Sequence, residues 1–172
     1  MHCHQLLVFL LISSMSFGQK LGTQSDPKDF ANISGLSIAE RISINDLGDG
    51  FGVSNGFCGH IFELDSSMNF KEIDYCCTGQ FTIDQGHWGI IDDAVIELRS
   101  SQKTLFFDVF SFDRFYFFIP KQKRESFIRD IAAAKVKLDY LKPFRYQNVT
   151  YSKDYLVGFS LRENYYCLER KE

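Results

Sequence analysis

Proline is scarce in this chain, three among 172 residues, and tryptophan occurs once. So few prolines exclude a polyproline or collagen-like chain and leave long stretches free for regular backbone. An excess of one charge is lacking too: the net formal charge is -3 and the pI is near 5.8. That balance excludes a general binder of nucleic acid or of anionic membranes, which needs a concentrated excess of Lys and Arg. There is no P-loop, no dinucleotide fingerprint, no repeat of solenoid length and no low-complexity segment. The chain also lacks an uncharged apolar stretch of the roughly 20 residues that a membrane-spanning helix requires.

What the chain has in quantity is aromatic residues, 16% of the total with 18 Phe. Such a share demands a large buried surface or an exposed adhesive one. With 45% hydrophobic and 24% charged residues the composition is that of a globular protein, and the length fits one domain.

Met1 to Gly18 contains no acidic residue, an apolar run from Leu6 to Ile12, and small residues at Ser13, Ser14, Ser16 and Gly18. This is the pattern of a secretory signal peptide, with Ser16 and Gly18 at the small-residue positions before the cut. Cleavage is therefore expected between Gly18 and Gln19, which places the mature chain in a secreted or periplasmic setting. Cys3 leaves with the signal, so four cysteines remain: Cys58, Cys76, Cys77 and Cys167. An even number in an exported chain favours disulfides. A bond between the neighbours Cys76 and Cys77 needs a strained ring, so each is expected to reach a different partner, one Cys58 and the other Cys167. A metal site drawing on Cys58, His60, Cys76 or Cys77 and His87 fits no zinc spacing, and neither a metal nor another cofactor is expected.

The polar segment 19–33 reads as a loose leader and 34–172 as a single β-rich domain. Leu36, Ile38, Ile42 and Ile44 alternate as in a half-buried strand, and a glycine-rich loop or bulged hairpin follows from Asp46 to Gly59. Short β-like runs then recur as in an antiparallel meander: His60–Leu64, Phe70–Cys77, Gln80–Ile83, His87–Ile91 and Ala94–Arg99, with Asp84-Gln85-Gly86 and Asp92-Asp93 as turns. The aromatic block divides at Asp113-Arg114 into Thr104–Phe110 and Phe115–Ile119, apolar on both parities as in strands covered on both faces. Lys121 to Leu141 carries Phe127, Ile131, Ala134, Leu138 and Leu141 at helical spacing, with Glu125/Arg129 and Lys135/Asp139 as i,i+4 pairs. Seven basic residues against three acidic ones from Lys121 to Lys142 make its outer face positive, as on any solvated helix. The tail returns to β pattern at Phe144–Tyr151, Tyr155–Leu161 and Tyr165–Leu168, with Arg162-Glu163-Asn164 as a hairpin turn. The expected fold is α+β: a mainly antiparallel meander or partly open barrel, with one amphipathic helix near 121–141 packed on the aromatic hairpin.

Few constellations suggest chemistry. Gly52-Val53-Ser54-Asn55-Gly56 matches G-x-S-x-G, the tight turn that exposes a nucleophilic serine when a strand precedes it and a helix follows. Here it lies among β runs, and any histidine partner has to be His60 or His87. Asp46, Asp49, Asp92 and Asp93 do not follow the EF-hand order and read as turn formers. Asn32-Ile33-Ser34 and Asn148-Val149-Thr150 are sequons, relevant in a eukaryotic source alone.

Gly86-His87-Trp88, with the strand from Phe70 before it and Ile91 to Leu98 after it, resembles a stretch seen in small exported bacterial β-barrels of lipocalin-like type. The resemblance covers about Phe62 to Leu98 and implies a barrel or half-barrel with an apolar interior, usually without catalysis. The expected function is that of an exported non-enzymatic β-protein binding an apolar small molecule or a protein partner. An inhibitor or immunity-like protein belongs to the same class, and a small secreted hydrolase using Ser54 is the enzymatic alternative.

Overall fold

The computed structural model describes residues 33–39, 47, 50–54, 57–92, 94–146 and 149–170. The expected signal segment and cleavage point, most of the expected leader, and the carboxylates Asp46, Asp49 and Asp93 lie outside the described residues. The strands run β1 (Leu36–Ile38), β2 (Gly50–Ser54), β3 (Gly59–Leu64), β4 (Asn69–Cys76), β5 (Gly79–Ile91), β6 (Val95–Ser100), β7 (Thr104–Phe112) and β8 (Phe115–Pro120). A single 3₁₀ turn, Lys121–Lys123, leads into α1 (Arg124–Leu138). There follow β9 (Phe144–Tyr146), β10 (Val149–Tyr151), α2 (Lys153–Leu161) and β11 (Tyr166–Glu169).

The seven strands β2 to β8 form an antiparallel meander in which each pairs with the next. β11 pairs with both β8 and β2, and this closes the meander into an eight-stranded barrel. β1 lies against residues Phe110 to Phe112 of β7, extending the edge that β6 leaves after Val95. β9 and β10 form a separate two-stranded sheet, with Tyr151 packed against the helical core. An α+β fold dominated by antiparallel strands is thus present, and the barrel agrees with the architecture the lipocalin-like resemblance implies.

Alternation along the aromatic hairpin explains the two cores. On β8, Tyr116 and Phe118 join Phe51, Phe62, Phe107 and Val109 inside the barrel, while Phe115, Phe117 and Ile119 face the helices. The turn between β7 and β8 is tight: Phe112 pairs with Phe115, and Asp113 takes φ 48°, a left-handed conformation that Asp tolerates better than most residues. The helical side is closed by Phe127 and Ile131 of α1 and by Tyr155, Val157 and Leu161 of α2. Phe127 sits between Phe110 and Phe117, with ring centroids 5.4 and 5.2 Å away.

The structure corrects several expected elements. Asp84-Gln85-Gly86 is no turn: it lies inside the 13-residue β5. Gly86 is there for close approach, since a Cβ would run into the carbonyl oxygen of Arg99. Tyr155 to Leu161 is a helix, capped by Ser152, whose hydroxyl accepts from the Tyr155 amide at 2.9 Å, with Asp154 in its first turn. Residues Tyr155, Val157 and Leu161 satisfy a strand parity and a helical face alike, and Gly158 lets α2 lie directly on the Phe115 ring. The run 144–151 is a hairpin of two three-residue strands. The expected Lys135/Asp139 pair is replaced by contacts between the helices, Lys135 to Asp154 at 2.9 Å and Lys153 to Asp139 at 3.2 Å. Among the described residues no helix is long and apolar enough to cross a membrane.

Candidate functional site

One end of the barrel is polar where the rest is aromatic. β3 sends Phe62 and Leu64 into the core, and the same parity brings His60 to the rim, its ring 5.1 Å from Phe62 and 5.6 Å from Tyr166. On β4 the parity of Phe70 continues to Glu72, which is buried at 4% exposure, and to Asp74. Opposite Glu72 in the register is Asp84 on β5, 7% exposed. Directly opposed residues share a face, so the two carboxylates stand side by side. A register shift between Glu72 and Ile73 leaves Ile83 of β5 as the extra residue of a bulge beside this pair.

Glu72 is compensated. Lys103, from the turn between β6 and β7, brings Nζ to 2.6 Å from Oε2, and His60 Nε2 is 3.1 Å from Oε1. Neither Glu72 Oε2 nor His60 Nε2 is in hydrogen-bond geometry, and the Lys103 approach is an ion pair. The other imidazole nitrogen, Nδ1, is 3.5 Å from Asp74 Oδ1. Burial, with the Glu72 and Asp74 carboxylates nearby, pushes the Tyr166 phenol above its ordinary range. Asp84 differs: Oδ1 accepts from the Gln85 amide at 2.8 Å, whereas the buried Oδ2 has no partner among the described residues.

The rim is built by the β2–β3 connection and the β4–β5 hairpin. Gly59 pairs with Tyr75, so Cys58 and Cys76 fall beside each other and form a disulfide. A cleft of about 540 Å³ opens here, lined by Ser54, His60, Asp74, Phe81, Glu163 and the disulfide. Phe57 and Phe81 are exposed at 81% and 61%, and Ile83 lies bare nearby.

The remaining expected site residues fall apart. Cys77 and Cys167 are free thiols, so the second bridge does not form. Cys77 is exposed in the β4–β5 turn, while Cys167 pairs with Gly52 and Phe117 and packs on the helical core. Burial pushes the Cys167 thiol up to about 11. Ser54 shares the rim cleft with His60, but its hydroxyl donates to the Cys58 carbonyl oxygen at 3.3 Å and both imidazole nitrogens face carboxylates. The chain after Ser54 enters β3 rather than a helix. His87 lies exposed on the outer face, on the parity opposite to Trp88. Asp92 is a turn residue with φ 51°. Sequence reasoning missed Glu72, Asp74, Asp84, Lys103 and Tyr166. For Glu72, Asp74 and Asp84 the signal was charge on the parity of Phe70 and Trp88, where a strand otherwise places apolar side chains; Lys103 in a turn and Tyr166 on β11 carried none.

The chain is thus, by fold, a closed antiparallel barrel with an aromatic interior and a charged rim. Comparison with protein-family models, curated proteins and solved structures finds no match.

Proposed function

We propose that this is an exported, non-enzymatic barrel that binds a protein partner at its charged rim. One observation carries the reading: the rings that could have walled a ligand cavity fill it instead. Phe51 stacks on Phe118 at 3.9 Å, and Phe62, Phe107 and Tyr166 lie within 5.3 to 6.2 Å of Phe51. An apolar small molecule needs an open cavity of several hundred cubic ångströms to bury itself. Solvent-exposed aromatic area lies outside, at Phe57 and Phe81, and aromatic residues are enriched where proteins meet. The non-enzymatic reading is supported by Ser54 and His60 being engaged elsewhere than with each other.

Trp88, the sole tryptophan, is 4% exposed in the interior cluster and serves as the reporter. Titration of the native protein with a lipophilic fluorophore is expected to give no saturable transfer from Trp88. A saturable one-to-one site would sink the protein-binding reading in favour of an apolar ligand. With a partner purified from the native source, Phe57→Ser combined with Phe81→Ser should weaken binding by roughly tenfold or more and leave the thermal midpoint unchanged.

A further inference from the structure

We propose that the free edge of β5, Gly79 to Gln85, takes up an extended segment of the partner protein by backbone pairing, with a lysine or arginine of that segment opposite Asp84. Resting on the protein-binding reading above, this adds how the partner is held and which charge it carries.

β5 pairs with β4 from Gly79 to His87 but with β6 only from Gly86 to Ile91. Beyond Ser100 the chain turns away, the Ser100 hydroxyl accepting from the amides of Gln102 and Lys103 at 3.0 and 3.1 Å. Gly79 to Gln85 therefore has no neighbouring strand on that side among the described residues. An unpaired edge presents N–H and C=O groups as a template for another chain. Proteins commonly blunt such edges with lysine, proline, a bulge or an inward-pointing charge. Here a bulge at Ile83 and the inward Asp84 carboxylate are present, so a strand pairs well only if it meets that charge. The edge reads Gly-Gln-Phe-Thr-Ile-Asp-Gln, with Phe81 and Ile83 exposed. A cleft of about 750 Å³ runs along it, between Thr82 to His87 on one side and Arg99 to Gln102 on the other.

Asp84 decides the chemistry. Lys103 and His60 lie against Glu72, and among the described residues Asp84 has no ion-pair partner and its Oδ2 no donor. A buried acceptor in that state is costly. A strand laid beside β5 sets one side chain directly opposite Asp84 on the same face. A lysine or arginine there supplies both the donor and the charge. A second copy of this chain does not: Gly79 to Gln85 contains no Lys or Arg, so pairing of two such edges leaves both Asp84 carboxylates uncompensated.

The probe is the peptide acetyl-Thr-Val-Thr-Arg-Thr-Val-Thr-amide, beside its counterpart with Glu in the central place, tested on the full chain. Amide hydrogen exchange is expected to slow at Gly79 to Gln85 with the Arg peptide. That peptide should bind about tenfold tighter than the Glu peptide, with the preference falling to about onefold in Asp84→Asn. In the unaltered protein the preference should also shrink as salt is added, a readout that does not depend on the variant folding. Equal affinities for the two peptides, or slowed exchange at another strand, overturn the proposal. So does slowing at Gly79 to Gln85 that grows with protein concentration in the absence of peptide, which assigns the edge to a second copy. A saturable Trp88 response to the lipophilic fluorophore would instead overturn the protein-binding reading itself, so the two failures are told apart.

Discussion

At the residue scale the decisive side chains are charged ones set where the strand pattern calls for apolar ones. His60 shares a parity with Phe62 and Leu64, and Glu72 shares one with Phe70. That much was visible in the sequence; that Lys103 would reach Glu72, and that Asp84 Oδ2 would have no donor among the described residues, was not, because such contacts depend on how the strands are brought together in the closed sheet. A different carboxylate holds the β3–β4 turn. Asp65 accepts from the amides of Ser67 and Asn69, each at 2.9 Å, and its carbonyl accepts from the Trp88 indole at 3.1 Å. The bond from the Asn69 amide, first among several, holds the Asp65 carboxyl below its ordinary range. Because the folded-state value is lowered, the carboxylate stabilises the fold above its unfolded value of about 3.9 and loses that effect as pH falls through the folded value. Asp65→Ala should therefore lower the urea midpoint at pH 7, and the gap from the native protein should close as the buffer is taken to about pH 2. A gap of the same size at both pH values would refute the assignment.

At the scale of elements, periodicity was a good guide wherever one face was clearly apolar. Helix α1 and the two-faced hairpin of β7 and β8 follow from the pattern, and Phe127 meets that hairpin as its spacing implies. The pattern misled at α2, where Tyr155, Val157 and Leu161 suit both periods and the helix is decided by the Ser152 cap and by Gly158 lying against Phe115. It misled at β5 too, where turn-forming residues were drawn into a long strand by pairing with β4 and β6. Phe127 is fully buried between Phe110 and Phe117. Its replacement by Ala should cost about 3 to 5 kcal/mol in urea unfolding. The emission maximum of Trp88 in the folded variant should stay unchanged, since Trp88 belongs to the other cluster. A red shift would show that the two cores are mechanically one.

At the scale of the whole molecule, closure by β11 turns a meander into a barrel, and the aromatic side chains then decide whether that barrel is hollow. Phe62 touches the rings of Phe51, Phe70, Phe107 and Tyr166 and is 1% exposed. Removing it should open an apolar void, so Phe62→Ala is expected to lose about 3 to 5 kcal/mol and to take up a lipophilic fluorophore more readily than the native protein. Destabilisation without any uptake would show that the interior collapses rather than opens. The sequence by itself determined the strand-rich composition, the double-sided aromatic hairpin and the α1 face, because each rests on periodicity or on local chemistry. Only the tertiary structure decided that the sheet closes, that its interior is filled, that Cys58 takes Cys76 while Cys77 and Cys167 stay apart, and that Asp84 is buried at an open edge. Those outcomes depend on the register between strands and on the return of β11 to β2 from more than a hundred residues away, and no local pattern records such pairings.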